Sequence, residues 1–183
     1  MGFCFFNNVA IAARFLQKAC GIQRVAIIDF DVHHGNGTQH IFEDDASVLY
    51  YSIHQHPSFA YPGTGREFEM GDGRGYGFTK NSPVLPGQSD EDYRKLIEND
   101  LLPLCESFQP QVILVSAGFD AHADDEMSDI NLSTKGYTWM MRAVLQLAEK
   151  YCDGRLISVL EGGYSLHRLP ELVANHVKIL LGI

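Results

Sequence analysis

Apolar positions along the chain fall into two rhythms. From Asn7 or Asn8, each able to cap a helix, Val9, Ala12, Ala13, Leu16 and Ala19 recur on one helical face, and Gly21 closes it. Val25 to Ile28 is a continuous apolar run that leads into Asp29-Phe30-Asp31-Val32-His33-His34-Gly35-Asn36-Gly37, and a short helix is expected around 37–43. Residues 47–53 form a second β-rich run, and residues 77–83 read as a short strand. Between them, residues 54–76 are rich in glycine and show no periodicity, which predicts a long surface loop of the kind that usually carries function. Ser89-x-x-Asp92 resembles a capping box ahead of a helical face built from Tyr93, Leu96, Ile97, Leu101, Leu104, Cys105 and Phe108, with Pro103 expected to kink or break it. Val112 to Ser116 is the clearest strand. The face Tyr137, Met141, Val144, Leu145, Ala148 and Tyr151 marks a helix, residues 156–160 a strand, and residues 168–181 a last helix.

Continuous apolar strands alternating with amphipathic helices predict an α/β fold with a parallel sheet. No repeat or linker divides residues 1–183, so they are read as a single domain. In such sheets ligands bind beyond the carboxyl ends of the strands. Three strands end there in polar residues: Asp29-x-Asp31-x-His33, Ala117-Gly118-Phe119-Asp120 and Glu161-Gly162-Gly163-Tyr164.

Composition narrows the function classes. With 183 residues and 45% apolar content the chain builds a sizeable core. No apolar run approaches the ~18–20 residues of a membrane span. A formal charge of −9 argues against binding to a phosphate backbone and suits a cationic substrate. Cys4, Cys20, Cys105 and Cys152 form neither a CxxC nor a disulfide framework, and no signal-peptide pattern opens the chain, so a reducing, cytoplasmic setting is expected.

Asp31 and His33 lie two residues apart on an extended strand end and point to one side. A carboxylate and an imidazole are two ligands of a catalytic zinc site, and Asp120, at the end of the next long strand, is the candidate third, leaving one position open. Asp29 points the same way, either to orient a ligand or a catalytic histidine or to join a monovalent-cation site. His122 repeats the Asp-x-His spacing after Asp120 and suggests a second metal, whereas His34 is expected to pack or hydrogen-bond. Tyr164, after two glycines that permit close backbone approach, is placed to donate its hydroxyl to a developing oxyanion.

Taken together, GFCFFNN (2–8), DFDVHHGNGTQ (29–39), YYSIHQ (50–55), YPGTG (61–65), VSAGFDAH (115–122), LS (132–133) and LEGGYSL (160–166) resemble the histone deacetylase superfamily, which includes acetylpolyamine amidohydrolases and acetoin-utilisation proteins. The motifs cover nearly the whole chain in family order. The HHGNG and EGGYSL spellings are similar to the class II and bacterial branch, and Asn36 stands where another branch has Asp. The resemblance implies an arginase–deacetylase type three-layer α/β/α fold and one zinc ion on Asp31, His33 and Asp120 that polarises an acyl carbonyl and activates water. It implies Tyr164 as oxyanion donor and a narrow acyl channel walled by Phe3, with Phe59 or Tyr61 opposite, Met127 at its mouth or floor, and Gly162 and Gly163 beside it. A structural potassium ion is implied around Asp29, Asp31, His33 and Ser52.

The implied substrates are acetylated lysine on a protein, or an acetylpolyamine, with an oligomer compatible with either and with a nuclear location open in a eukaryote. The family also carries a histidine pair shortly before the GFC motif, serving as general base and electrostatic catalyst. It does not occur in this sequence, so the first strands of the sheet are expected to be missing with it and the 183 residues are expected to be inactive alone. Two other readings stand beside the zinc hydrolase: a binuclear manganese ureohydrolase, against which Asn36 replaces an expected second-metal carboxylate, and a zinc- or ligand-binding fragment without turnover.

Overall fold

The structure, a computed structural model, describes residues 3–183; Gly2, the first residue of the GFCFFNN motif, lies outside the described residues. Helix α1 (Asn8–Ala19) begins where the Asn7 side chain accepts the Ala10 N–H at 2.9 Å. Strand β1 (Val25–Asp29) is buried throughout and is followed by α2 (Asn36–Phe42) and by β2 (Val48–Gln55). The loop from 56 to 78 contains a single 3-10 turn, Gly73–Gly75, and leads to β3 (Thr79–Val84).

Helices α3 (Asp90–Leu96) and α4 (Leu102–Phe108) are joined by a π-turn, Ile97–Leu101. The α-helical run is thus interrupted just ahead of Pro103, which stands in the first turn of α4. The widened turn, in which the Leu102 N–H reaches the Ile97 carbonyl, absorbs the hydrogen bond that proline cannot make. Strand β4 (Val112–Ala117), α5 (Thr134–Cys152), β5 (Leu156–Leu160) and α6 (Leu169–Leu180) complete the order. Ser133 caps α5 through the Gly136 N–H and donates its own hydroxyl to Asp90 at 2.6 Å, which ties α5 to α3.

All five strands are parallel, in the order β3-β2-β1-β4-β5. Alternate residues of the central strands feed two cores. Val25 and Ile27 face α1 with Val48, Tyr50, Val112 and Leu114. Ala26 and Ile28 face α3 to α6 with Leu49, Tyr51, Ile113 and Val115. This is the three-layer α/β/α arrangement. Strand β5 differs from the others: Ile157 and Leu160 remain exposed, so its apolar sequence is not matched by burial among the described residues. No helix among them is long and apolar enough to cross a membrane.

The sheet order places the site. From β1 the chain steps one way to β2 and β3, then crosses back to β4 and β5 on the other side. The crevice between the carboxyl ends of β1 and β4 is thus a topological switch point, where ligands of open parallel sheets bind. Asp31 and His33 follow β1, and Asp120 follows β4.

Candidate metal centre

Beyond β1 and β4 the two chains stay in register: the Phe30 N–H donates to the Ser116 carbonyl at 3.1 Å. Further on, the Val32 N–H donates to Asp120 Oδ1 at 2.9 Å, so one oxygen of this fully buried carboxylate is fixed by backbone. Its other oxygen, Oδ2, lies 3.1 Å from His33 Nδ1. Asp31 is oriented the same way. Oδ1 accepts the His33 N–H at 2.8 Å and lies 3.2 Å from His33 Nδ1, while Oδ2 accepts the Gly162 N–H at 2.8 Å.

Glycine is required at two points around this cluster. A Cβ on Gly162 would overlap Asp120 Oδ2 and sit 2.6 Å from Asp31 Oδ2, and one on Gly118 would overlap the Asp31 backbone. The loops close in because nothing but hydrogen stands on these two α-carbons.

The residues fit a tetrahedral metal. The ligand atoms of Asp31, His33 and Asp120 lie within 4.8 Å of one another, the one such His/Cys/Asp/Glu group among the described residues. Corners of a tetrahedron with metal–ligand bonds of ~2.0–2.2 Å lie about 3.4 Å apart. The two carboxylate oxygens stand close to that distance from Nδ1. The charge agrees. Hydrogen bonds to Asp120 and then Asp31 raise His33 to about 10, and burial followed by repulsion from Asp31 raises Asp120 to about 6. The His33 shift, and the part of the Asp120 shift that repulsion from Asp31 adds to burial, show that two converging carboxylates favour positive charge at this point.

The cluster opens into a cleft of about 900 Å³. Phe3, Tyr61, Met127, Gly162 and Tyr164 all line it, so five of the expected channel and oxyanion residues are brought together. The Tyr164 ring meets Phe3 edge-on at 6.1 Å. Burial, reinforced by the negative charge of Asp120 and Asp31, raises the Tyr164 hydroxyl to about 12 and keeps it a hydrogen-bond donor at neutral pH.

Other expected residues are placed differently. Phe59 is exposed and packs edge-on against His56, away from the cleft lining, so Tyr61 alone of that pair reaches the wall. Gly163 does not line the cleft; it supplies a φ of +142° that turns the chain into Tyr164. His122 takes no part in the metal cluster. Its Nδ1 accepts the Asp124 N–H at 3.0 Å and its Nε2 pairs with the Thr134 hydroxyl at 3.1 Å, which engages both ring nitrogens.

Asp29 sits at the cleft floor and accepts the Tyr50 hydroxyl at 2.9 Å and the Asp31 N–H at 3.2 Å. Burial raises its carboxyl well above the usual range. Ser52 is its register partner on β2. Glu161, which the sequence places at a polar strand end without assigning it a role, lines the cleft and accepts the Ser116 hydroxyl at Oε1 at 3.3 Å; sequence reasoning gave no role to Asp125, which holds the Tyr164 loop.

The long loop that carries Tyr61 is fastened by a neutral histidine. His54 is buried, accepts the Ser52 hydroxyl at Nδ1 at 2.8 Å and donates from Nε2 to the Gly65 carbonyl at 2.8 Å. Burial lowers it to about 3, against an ordinary value of 6.5. A histidine lowered on folding contributes stability above its unfolded value and loses it as the pH falls. The contribution of His54 to stability should therefore fall by about 1.4 kcal/mol for each pH unit below about 6.5, toward 3. Urea unfolding at several acidic pH values tests this: His54→Gln should show a shallower acid dependence by about one proton, and an unchanged slope would contradict the assignment.

A family model described as the histone deacetylase domain matches residues 1–180. A probable deacetylase of Archaeoglobus fulgidus is 49% identical over 165 residues, covering 90% of this chain and 45% of that protein. A histone deacetylase-like amidohydrolase of Pseudomonas aeruginosa is 42% identical over 183 residues, covering 100% and 48%. Among solved structures, the HDA15 HD domain superposes with a TM-score of 0.93 at 41% identity, covering all of this chain and 50% of that one. The chain thus spans about half the length of each of these three relatives.

Proposed function

The chain belongs to the histone deacetylase family, and from that premise we propose that it forms the metal-binding part of a zinc-dependent amide hydrolase that removes acetyl groups from acetyl-lysine. The observation that carries this reading is the meeting of Asp31, His33 and Asp120 within 4.8 Å of one another, with Asp31 and His33 lining a cleft that Tyr164 also lines and Asp120 buried behind them. Zinc held there supplies Lewis-acid polarisation of the amide carbonyl and activation of a water.

The chain's own residues do the rest. Asp31 and Asp120, oriented by backbone N–H groups, hold the ligand geometry without reorganisation. Phe3, Tyr61 and Met127 offer an apolar passage suited to a lysine alkyl chain. Tyr164 donates its hydroxyl to the oxygen that gains charge as the carbonyl is attacked. Asp29, at the end of β1, is a candidate for orienting a catalytic histidine. A structural potassium ion around Asp29, Asp31, His33 and Ser52 belongs to the same reading; adjacency of Asp29 and Ser52 in register supports it.

General acid–base groups are the remaining requirement. The reading predicts no turnover of a fluorogenic acetyl-lysine amide by the 183 residues alone, and zinc-dependent turnover by a form extended upstream with the histidine pair. Acetylated polyamines run in parallel rank the two substrate classes. An extended form with bound zinc and no activity on either class would refute the proposal; activity in the 183 residues would refute the need for the pair.

A further inference from the structure

Gly162 and Gly163 give the chain freedom where it has to hold an aromatic side chain in one place. Something outside the loop must fix it. The best-placed group is Asp125, a buried carboxylate on the segment after β4. Its Oδ2 accepts the Tyr164 N–H at 2.6 Å and the Ser165 N–H at 2.9 Å. Its Oδ1 accepts the Met127 N–H at 3.0 Å. One side chain therefore ties together backbone of two loops about 40 residues apart, and both loops carry a wall residue of the cleft, Tyr164 and Met127.

Asp125 is itself well located. Its N–H donates to the His122 carbonyl at 2.8 Å, and the His122 ring stacks on Tyr137, whose hydroxyl accepts the Ala121 N–H at 3.0 Å. The segment is thus pinned to the body of α5. On the other side, Ser165 leads directly into α6: its carbonyl accepts the Arg168 and Leu169 N–H groups at 2.9 and 2.8 Å. The adjacent Asp124–Arg168 ion pair, at 2.5 Å, spans the same two segments but is exposed to solvent and contributes little. A buried carboxylate that accepts three N–H groups is a far stronger constraint.

We propose that Asp125 is a positioning residue: its buried carboxylate, by accepting the backbone N–H groups of Tyr164, Ser165 and Met127, aims the Tyr164 hydroxyl over the metal cluster and fixes Met127 in the cleft wall. The anchoring is a statement about the fold; its catalytic consequence rests on the oxyanion-donor reading of Tyr164.

Two measurements test it. Hydrogen exchange on the 183-residue chain comes first. Asp125→Ala should raise the exchange of the Met127, Tyr164 and Ser165 amides by about tenfold or more, while the strand amides of β1 and β4 stay protected. Asp125→Asn keeps one acceptor oxygen, so it should give a smaller rise, and it serves if the alanine variant fails to fold.

The second is a double-mutant cycle in the upstream-extended form. Asp125→Ala should lower kcat by about 10–100-fold with zinc content unchanged, as loss of a supporting hydrogen-bond partner does. In a Tyr164→Phe background the same change should cost no more than about threefold, because its effect runs through the tyrosine. Unchanged exchange at these amides, an equal fall in rate in both backgrounds, or loss of zinc along with rate would each overturn the proposal. If the parent extended form shows no zinc-dependent turnover, the proposed function fails, and the exchange result alone decides the anchor.

Discussion

Asp120→Ala should lower zinc affinity by more than about 100-fold, beyond what loss of an outer partner of a ligand costs, and should abolish zinc-dependent turnover in the upstream-extended form. The reason lies in how completely this carboxylate is committed. It is fully buried, one oxygen holds the Val32 N–H, and the other faces His33. Its removal deletes one of three ligands and the larger of the two influences that draw positive charge to His33.

The effect on stability should be much smaller. Leaving the Val32 N–H unpaired costs about 1–3 kcal/mol. Removal of a carboxylate that is costly to bury and is repelled by Asp31 offsets part of it. Chelator competition followed by urea unfolding separates the two quantities. Asp120→Asn, which keeps an acceptor for Val32, should lose the metal with still less effect on the fold. Full zinc retention in either variant would show that the ligand set is wrong.

Tyr164→Phe should lower kcat by about 10²–10³-fold in the extended form, the cost of losing one oxyanion donor, with zinc content unchanged. The ring itself remains: phenylalanine can keep the edge-on contact with Phe3 and the loop's hydrogen bonds to Asp125, since both involve groups the substitution leaves in place. The hydroxyl, held protonated by burial and nearby carboxylates, is all that is removed. A variant with near-normal kcat would move the oxyanion-donor role away from Tyr164.

Much of this architecture is legible in the sequence because it is local. Helix and strand periods identify the elements from α1 to α6, and the Asp31-x-His33 spacing puts both side chains on one side of a strand end. Asp120 is legible at one remove, through the rule that parallel sheets bind ligands beyond their strand ends. The remainder depends on contacts across the chain. His122 repeats the ligand spacing of Asp31 and His33, yet its ring turns to Thr134 and the Asp124 N–H because the chain there is no longer extended. Phe59 and Tyr61 lie two apart in one loop, and only the fold of that loop around His54 and Gly65 decides which reaches the cleft. Asp125 stands between two other acidic residues, Asp124 and Glu126, and nothing in that run marks it out. Its bonds to backbone some 40 residues away leave no pattern in composition or spacing. Strand β5 is apolar enough to read as fully buried, but Ile157 and Leu160 are exposed at its edge of the described sheet.

The central claim is that Asp31, His33 and Asp120 together hold one zinc ion. Elemental analysis of the chain, loaded with zinc and freed of excess, tests it most directly when run beside Asp120→Ala. One equivalent of zinc per chain, falling to a trace in the variant, is the expected result; two metals per chain, or an undiminished equivalent in Asp120→Ala, would contradict it.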